Sequence, residues 1–377
     1  MQRRDFLAGS TSALALGSLA GGSAWWNGRP ESVVLPAPTF AVIPVVGDGK
    51  WIWKDPPTDK TGYLEPRPHD LSIGIELQGT SSATGVRATT VAPVRLPEQD
   101  VQDFKIETQG CQAALRPISG EAAQLILHAP GLAAGQVIRV VAHYRILLKK
   151  AYQGYQQDQF PPIQKTPRDF AKAYLGDSPG IQTRDKSVRE LAEKLVSPSD
   201  HPWEMAKKFH AWVWENIHAR PGYYTNVLVA LRDKQGDCEE RAAVFVALCR
   251  ASGIPARLVW VPNHNWAEFW LHDEQGTGHW IPAHTSCYSW FGWTGAHEVV
   301  LQKGDKLRVP EERKPLRLLA DWMQWQGGRP QVRYVAELRP VPAEDESDPG
   351  PGARSKDKKG QWVLVNKHPD DRYMRNG

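Results

Sequence analysis

The sequence predicts an α+β protein in two units, a β-sandwich followed by a unit whose helices precede an antiparallel sheet. Three patterns carry that expectation. Short alternating runs dominate from Leu71 to about Leu148, apolar spacing becomes helical between Val188 and Ser252, and strand-like runs return from Arg257 to Ala283.

The alternation is clearest at the start. Leu71, Ile73, Ile75 and Leu77 alternate with Ser72, Gly74 and Glu76, the pattern of a strand with one buried face. Further runs at 85–94, 104–108, 124–128 and 137–147 are each bounded by Gly, Pro or polar residues. Strands at this spacing predict a β-sandwich of immunoglobulin-like size over 25–150. The polar, Pro-containing stretch 151–186 reads as a connecting arm.

The second unit, 187–340, opens with Val188, Leu191, Ala192 and Leu195 at helical spacing. A second helix, entered through Asp200-His201-Pro202, carries Ala206, Phe209, Trp212, Val213 and Ile217 on one face. A third begins at Gly236-Asp237-Cys238 and runs to about Ser252, with Ala242, Phe245, Leu248 and Cys249 inward, and Gly253 and Pro255 ending it. Strands follow at 257–261, 266–271 and 280–283, the last two joined by a Gly-containing turn at 274–278. The charged, Pro- and Gly-rich residues 341–377 read as a largely disordered tail.

Residues 1–24 read as an address. Arg3 and Arg4 precede Asp5, Phe6 and Leu7, an apolar run reaches about Ala20, and Gly22-Ser23-Ala24 offers small residues for cleavage. This is the form of a twin-arginine signal, and its apolar run is too short and too rich in Gly and Ser for a comfortable membrane span. The expected location is therefore periplasmic or secreted. A formal net charge of +4 over 377 residues, without a basic stripe interleaved by aromatics, argues against nucleic acid as a partner.

Of the four cysteines, only Cys238 has a chemical context. Cys111 falls in the sandwich, Cys249 on an apolar helix face as an inert thiol, and Cys287 is open between free and paired. Asp237 followed three residues on by Glu240 has the form of a reciprocal helix cap. That places Cys238 at the first helical position, where unpaired N–H groups and the helix dipole favour a thiolate, while Asp237, Glu239 and Glu240 oppose it. A nearby imidazolium would outweigh the dipole alone. His264 begins a strand directly after the one entered from the Cys238 helix, a placement that lets it face that helix's N-terminus.

Gly-Asp-Cys-Glu-Glu, then Ala-Ser-Gly-Ile-Pro-Ala-Arg, then His-Asn-Trp-Ala-Glu-Phe and Trp-Ile-Pro occur in an order that resembles the transglutaminase-like superfamily, over about 203–286. The resemblance implies a papain-like α+β core, with Cys238 as nucleophile and His264 as general base. Members include cross-linkers, proteases, amidases and inactive relatives, so it also implies a polypeptide or peptide-like substrate. The family's third member is an aspartate where this chain has His284. Three readings stay open: His284 orients His264 more weakly than a carboxylate, another acid (Asp273 or Glu268) serves, or the catalytic role is lost.

His264, His272, His279, His284 and Cys287 lack zinc-motif spacing, so neither a metal nor a cofactor is expected. Trp266, Trp270, Trp280, Trp290 and Trp293 are expected mostly as core, with one or two lining a groove.

Overall fold

The computed structural model describes residues 61–341 except 119–120, 221–223, 263, 287–288 and 296, together with short strands at 31–34, 354–356 and 362–364. The signal-like leader, Cys287 and most of the tail lie outside the described residues.

The first unit contains β1 (Glu31–Val34), β2 (Gly62–Gln78), β3 (Ala83–Ala92), β4 (Gln99–Gln109), β5 (Gln112–Ile118), β6 (Ala122–Leu132) and β7 (Val137–Tyr152). Leu71, Ile73, Ile75 and Leu77 are buried as the alternation requires, against Val86, Leu125, Leu127 and Val140. Each such side chain contributes about 2 kcal/mol by leaving water. Gly74 of β2 sits where an added Cβ would come within 2.3 Å of the Val140 carbonyl, so the close approach of β2 and β7 requires glycine there.

The second unit carries α1 (Arg168–Tyr174), α2 (Lys186–Leu195), α3 (Pro202–Asn216), α4 (Val227–Asp233) and α5 (Cys238–Ala251). After them come β8 (Ala256–Val261), β9 (His264–His272), β10 (Gly278–Ala283), β11 (Gln302–Lys303), β12 (Trp322–Gly327) and β13 (Gln331–Pro340). Ala267, Phe269 and Leu271 of β9 join Leu258, Ile281 and Ala283 in one core with Phe245 and Leu248 of α5. The other face of the sheet is covered by α1, whose Phe170 ring lies 4.8 Å from Trp270 and whose Tyr174 ring lies 4.9 Å from Trp280. The stretch expected as a polar arm is thus partly a packed helix. Seven residues with two aromatics four apart are too few to register as a periodic run.

The two units are not strung in series. β12 pairs antiparallel with β3, and β13 pairs with β2 along its length, so 322–340, expected within the second unit, is hydrogen-bonded into the sandwich. The larger sheet runs β1-β12-β3-β6-β11-β8-β9-β10, with β5 also paired to β6, so one nine-stranded sheet passes from sandwich to second unit through the two residues of β11. Lys303 of β11 is paired with Glu98 of the sandwich at 2.5 Å and with Glu268 of β9 at 2.9 Å. Arg257 of β8 pairs with Glu268 at 2.8 Å and with Glu121, next to β6. No helix among the described residues is long and apolar enough to cross a membrane.

Candidate active site

The cap read from the sequence is formed. The Asp237 carboxylate accepts from the Glu239 N–H at 2.8 Å, and the Glu240 carboxyl accepts from the Asp237 N–H at 3.0 Å. Cys238 is therefore the first residue of α5, buried to 2% exposure, at the positive end of a 14-residue helix.

The adjoining acids weigh less against a thiolate than their number suggests. Glu239 is ion-paired with Arg317. Burial, followed by the contact with Asp237, pushes the Glu240 carboxyl up to about 7. Glu240 also accepts from the Thr225 N–H at 2.7 Å, tying the preceding segment to the helix start.

His264 is the first residue of β9, half-buried and paired in register with Val261 of β8. Arg317 links the two starts. Paired with Glu239 of α5, its guanidinium lies 3.8 Å from the Tyr224 ring centre and 5.9 Å from that of Trp260, whose cross-strand partner is Asn265. The N-terminus of α5 and the start of β9 thus stand at the same end of the unit.

His284 follows β10 and is buried to 1% exposure. Its ring stacks on Trp266 at 4.7 Å and meets Trp290 edge-on at 5.0 Å. Its backbone N–H donates to the Trp290 carbonyl at 2.8 Å. The His264 and His284 ring centres are 6.4 Å apart. Two imidazoles at that separation keep their nitrogens about 4 Å or more apart, beyond a direct hydrogen bond. His284 therefore makes no direct hydrogen bond by which to orient His264; stacking on Trp266 holds the ring back. Burial, then the neighbouring His264 and His210, hold the His284 imidazole well below its ordinary range, so it is neutral at physiological pH.

Neither alternative acid reaches His264. Asp273 lies just past the opposite end of β9, about 30 Å along an extended strand, and pairs with His279 at 2.8 Å. Glu268 is four residues along the strand and is engaged by Arg257 and Lys303. Among the described residues, no three His, Cys, Asp or Glu side chains are grouped to hold a metal.

His210 and Arg317 are parts of this surround that the sequence reading did not single out. His210 of α3 is buried, its Nε2 lies 2.6 Å from the His284 carbonyl oxygen, and its ring packs on Phe291. Burial lowers its pKa to about 4. A neutral imidazole donating to that carbonyl pins His284 to the helical layer. The signal was present: His210 stands on the apolar stripe of Trp203, Ala206 and Val213. Arg317 had none, because its partner is 78 positions away.

Cys249 is fully buried and its thiol is raised well above its ordinary range by burial. Cys111 is a half-buried free thiol whose sulfur donates to the Arg139 carbonyl at 3.2 Å. Trp266, Trp270 and Trp290 are buried; Trp280 and Trp293 are half-buried.

A buried cysteine opening a capped helix, with a histidine opening a strand of the sheet packed on that helix, defines a cysteine–histidine α+β domain. Residues 189–285 match the transglutaminase-like superfamily, and this segment is a transglutaminase-like domain.

The structure superposes on that of a candidate cysteine protease from Cytophaga hutchinsonii with a TM-score of 0.50 and 15% identity, covering 79% of this chain and 97% of that one. The second unit alone could not supply that coverage, so the shared fold extends into the sandwich. A candidate protease from Parabacteroides distasonis gives a TM-score of 0.25 at 15% identity over 59% of this chain and 44% of that one, too loose an overlap to define a shared fold. An uncharacterized protein of Haemophilus influenzae is 26% identical over 157 residues, 37% of this chain and 42% of that protein. The matched segment thus spans about two fifths of that relative's length.

Proposed function

We propose that this protein is an exported thiol enzyme that cleaves amide bonds in polypeptide or peptide-like substrates through Cys238 and His264. The observation that carries the reading is the placement of Cys238 at the capped start of α5 and of His264 at the start of β9, at one end of a transglutaminase-like domain. Cys238 Sγ attacks the amide carbonyl carbon as His264 takes the thiol proton. The backbone N–H of Cys238 stabilises the oxyanion, and His264 passes its proton to the leaving amine as the C–N bond breaks. Water, activated by His264, then cleaves the thioester to release the acid and restore the thiol. A lysine amine in place of water would make the same thioester cross-link; water is the favoured acceptor.

His284 supplies no negative charge, so the imidazolium formed in the first step is stabilised less than a carboxylate would stabilise it. This predicts a working but slow site. The test is hydrolysis of a peptide mixture followed by mass spectrometry. Cys238→Ala should abolish product and His284→Asp should raise its rate; unchanged hydrolysis in Cys238→Ala overturns the reading.

The second reading is a non-catalytic binding module on the same fold, favoured by the neutral His284 and the burial of Cys238. Absence of turnover in both the wild type and His284→Asp selects it.

Export rests on Arg3 and Arg4 with the apolar run behind them. Replacing both arginines by lysine should trap the chain in the cytoplasm, read by fractionation; unaltered export would exclude the twin-arginine route.

A further inference from the structure

Far from Cys238, α1 and the loop after it enclose an open concavity of about 470 Å³ lined by Arg168, Lys172, Arg184 and Lys306, with Asp177 as its carboxylate. Its walls are anchored. On one side, Phe170 and Tyr174 fasten α1 to Trp270 and Trp280 of the sheet. On the other, the buried Arg250 guanidinium donates to the Gly176 carbonyl at 3.0 Å and the Ser178 hydroxyl at 3.0 Å while paired with Asp305 at 2.9 Å. Asp177 is occupied within its own loop, its carboxylate accepting from the Arg184 N–H at 3.0 Å and its carbonyl from Lys306 Nζ at 3.0 Å.

The cations are treated differently from the walls. Lys172 pairs with the exposed Asp169 at 2.9 Å, whereas Arg168 and Arg184 have no acidic partner among the described residues. Two unpaired guanidiniums on a pre-organised frame suit planar, bidentate carboxylate recognition. Ala171 and Leu175 supply apolar lining that fits the methylenes of a glutamate. A recess takes up a protruding side chain more readily than the flat surface of a bilayer.

We propose that this concavity binds the carboxylates of an acidic polypeptide segment, at a site separate from Cys238. Arg250, which anchors its floor, is twelve residues beyond Cys238 on α5, about 18 Å along the helix axis. The site does not depend on the thiol reaction.

The experiment measures fluorescence anisotropy of labelled, end-capped tri-glutamate and tri-glutamine peptides titrated with the full chain carrying Cys238→Ala, so that turnover plays no part. Tri-glutamate should bind at least tenfold tighter than tri-glutamine, with affinity falling as salt rises. Arg168→Ala with Arg184→Ala should weaken tri-glutamate binding at least tenfold; both side chains are exposed, and circular dichroism should be unchanged. Equal affinity for the two peptides, no binding, binding untouched by the double substitution, or binding only to vesicles of anionic phospholipid would each overturn the proposal.

Discussion

The sandwich and the second unit bury different things. The sandwich interior is built from alternating strand residues such as Leu71, Ile73, Leu125 and Leu127, and most of its ion pairs, such as Arg145–Asp70 and Arg333–Glu76, stand on the outside. Asp321 is an exception, with burial holding its carboxyl well above the usual range. In the second unit, α5 is buried from Cys238 to Arg250, and Glu239, Glu240, Arg241 and Arg250 are buried with it. Buried charge costs several kcal/mol per ion unless partnered, so it persists where it fixes geometry. Here it brackets both ends of the helix, with Arg317 on Glu239 at the start and Asp305 on Arg250 at the far end. Lys303 carries the same device across the joint into the sandwich.

The sharpest way to break this comparison is Lys303→Met. It leaves Glu98 and Glu268 without their shared cation, and unfolding free energy should fall by about 3–5 kcal/mol. Hydrogen exchange should then rise in β6 and α5 together, because one sheet joins them. Loosening of α5 alone would show that the joint is passive.

Leu127→Ala, in the sandwich core, should cost about 3 kcal/mol. It too should lower protection in α5, since the sandwich braces the same sheet; loss confined to the sandwich would separate the units.

A smaller effect concerns pH. His210 is neutral in the fold and titrates near 4, against an ordinary 6.5, so the unfolded chain binds more protons between those values. Its contribution, complete above pH 6.5, is lost as pH falls to 4, about 3 kcal/mol in all. Glu240 acts oppositely: its raised pKa makes its contribution disappear as pH rises from 4.5 to about 7, offsetting part of the wild-type slope. His210→Phe should remove its share of the acid-side loss, leaving the shares of the buried His284 and His297 and the opposing slope of Glu240. An unchanged pH profile of unfolding would mean that His210 is not the group responsible.

The smallest effect belongs on the sandwich surface. Lys105, exposed on the solvent side of β4, pairs with Glu107 at 2.8 Å, and Lys105→Ala should change stability by no more than about 0.5 kcal/mol. A larger loss in thermal unfolding would show that the outer face carries packing of its own.

Local features were legible in the sequence. The alternation at Leu71–Leu77 lies within β2, and the Asp237–Glu240 cap opens α5 at Cys238. Helix and strand periods are written into neighbouring residues, and so is a cap. Pairings between distant residues were not. Nothing in 322–340 announces that its last strand joins β2 while its first joins β3 of the larger sheet, both far back in the chain. The passage of that sheet through Gln302–Lys303 rests on two residues without any periodic signal. At the site, residue order singled out Cys238, His264 and His284 as candidates, but the His284 ring plane is set by stacking on Trp266, which only the folded sheet produces.

The central claim is that His264 activates Cys238. It is tested most directly by the pH dependence of iodoacetamide alkylation at Cys238, read by peptide mass mapping in the wild type and in His264→Ala. The account predicts modification of Cys238 well ahead of Cys111 and Cys249 at neutral pH, with the rate falling at least tenfold in His264→Ala. Equal rates at Cys238 in the two proteins across the pH range would contradict it.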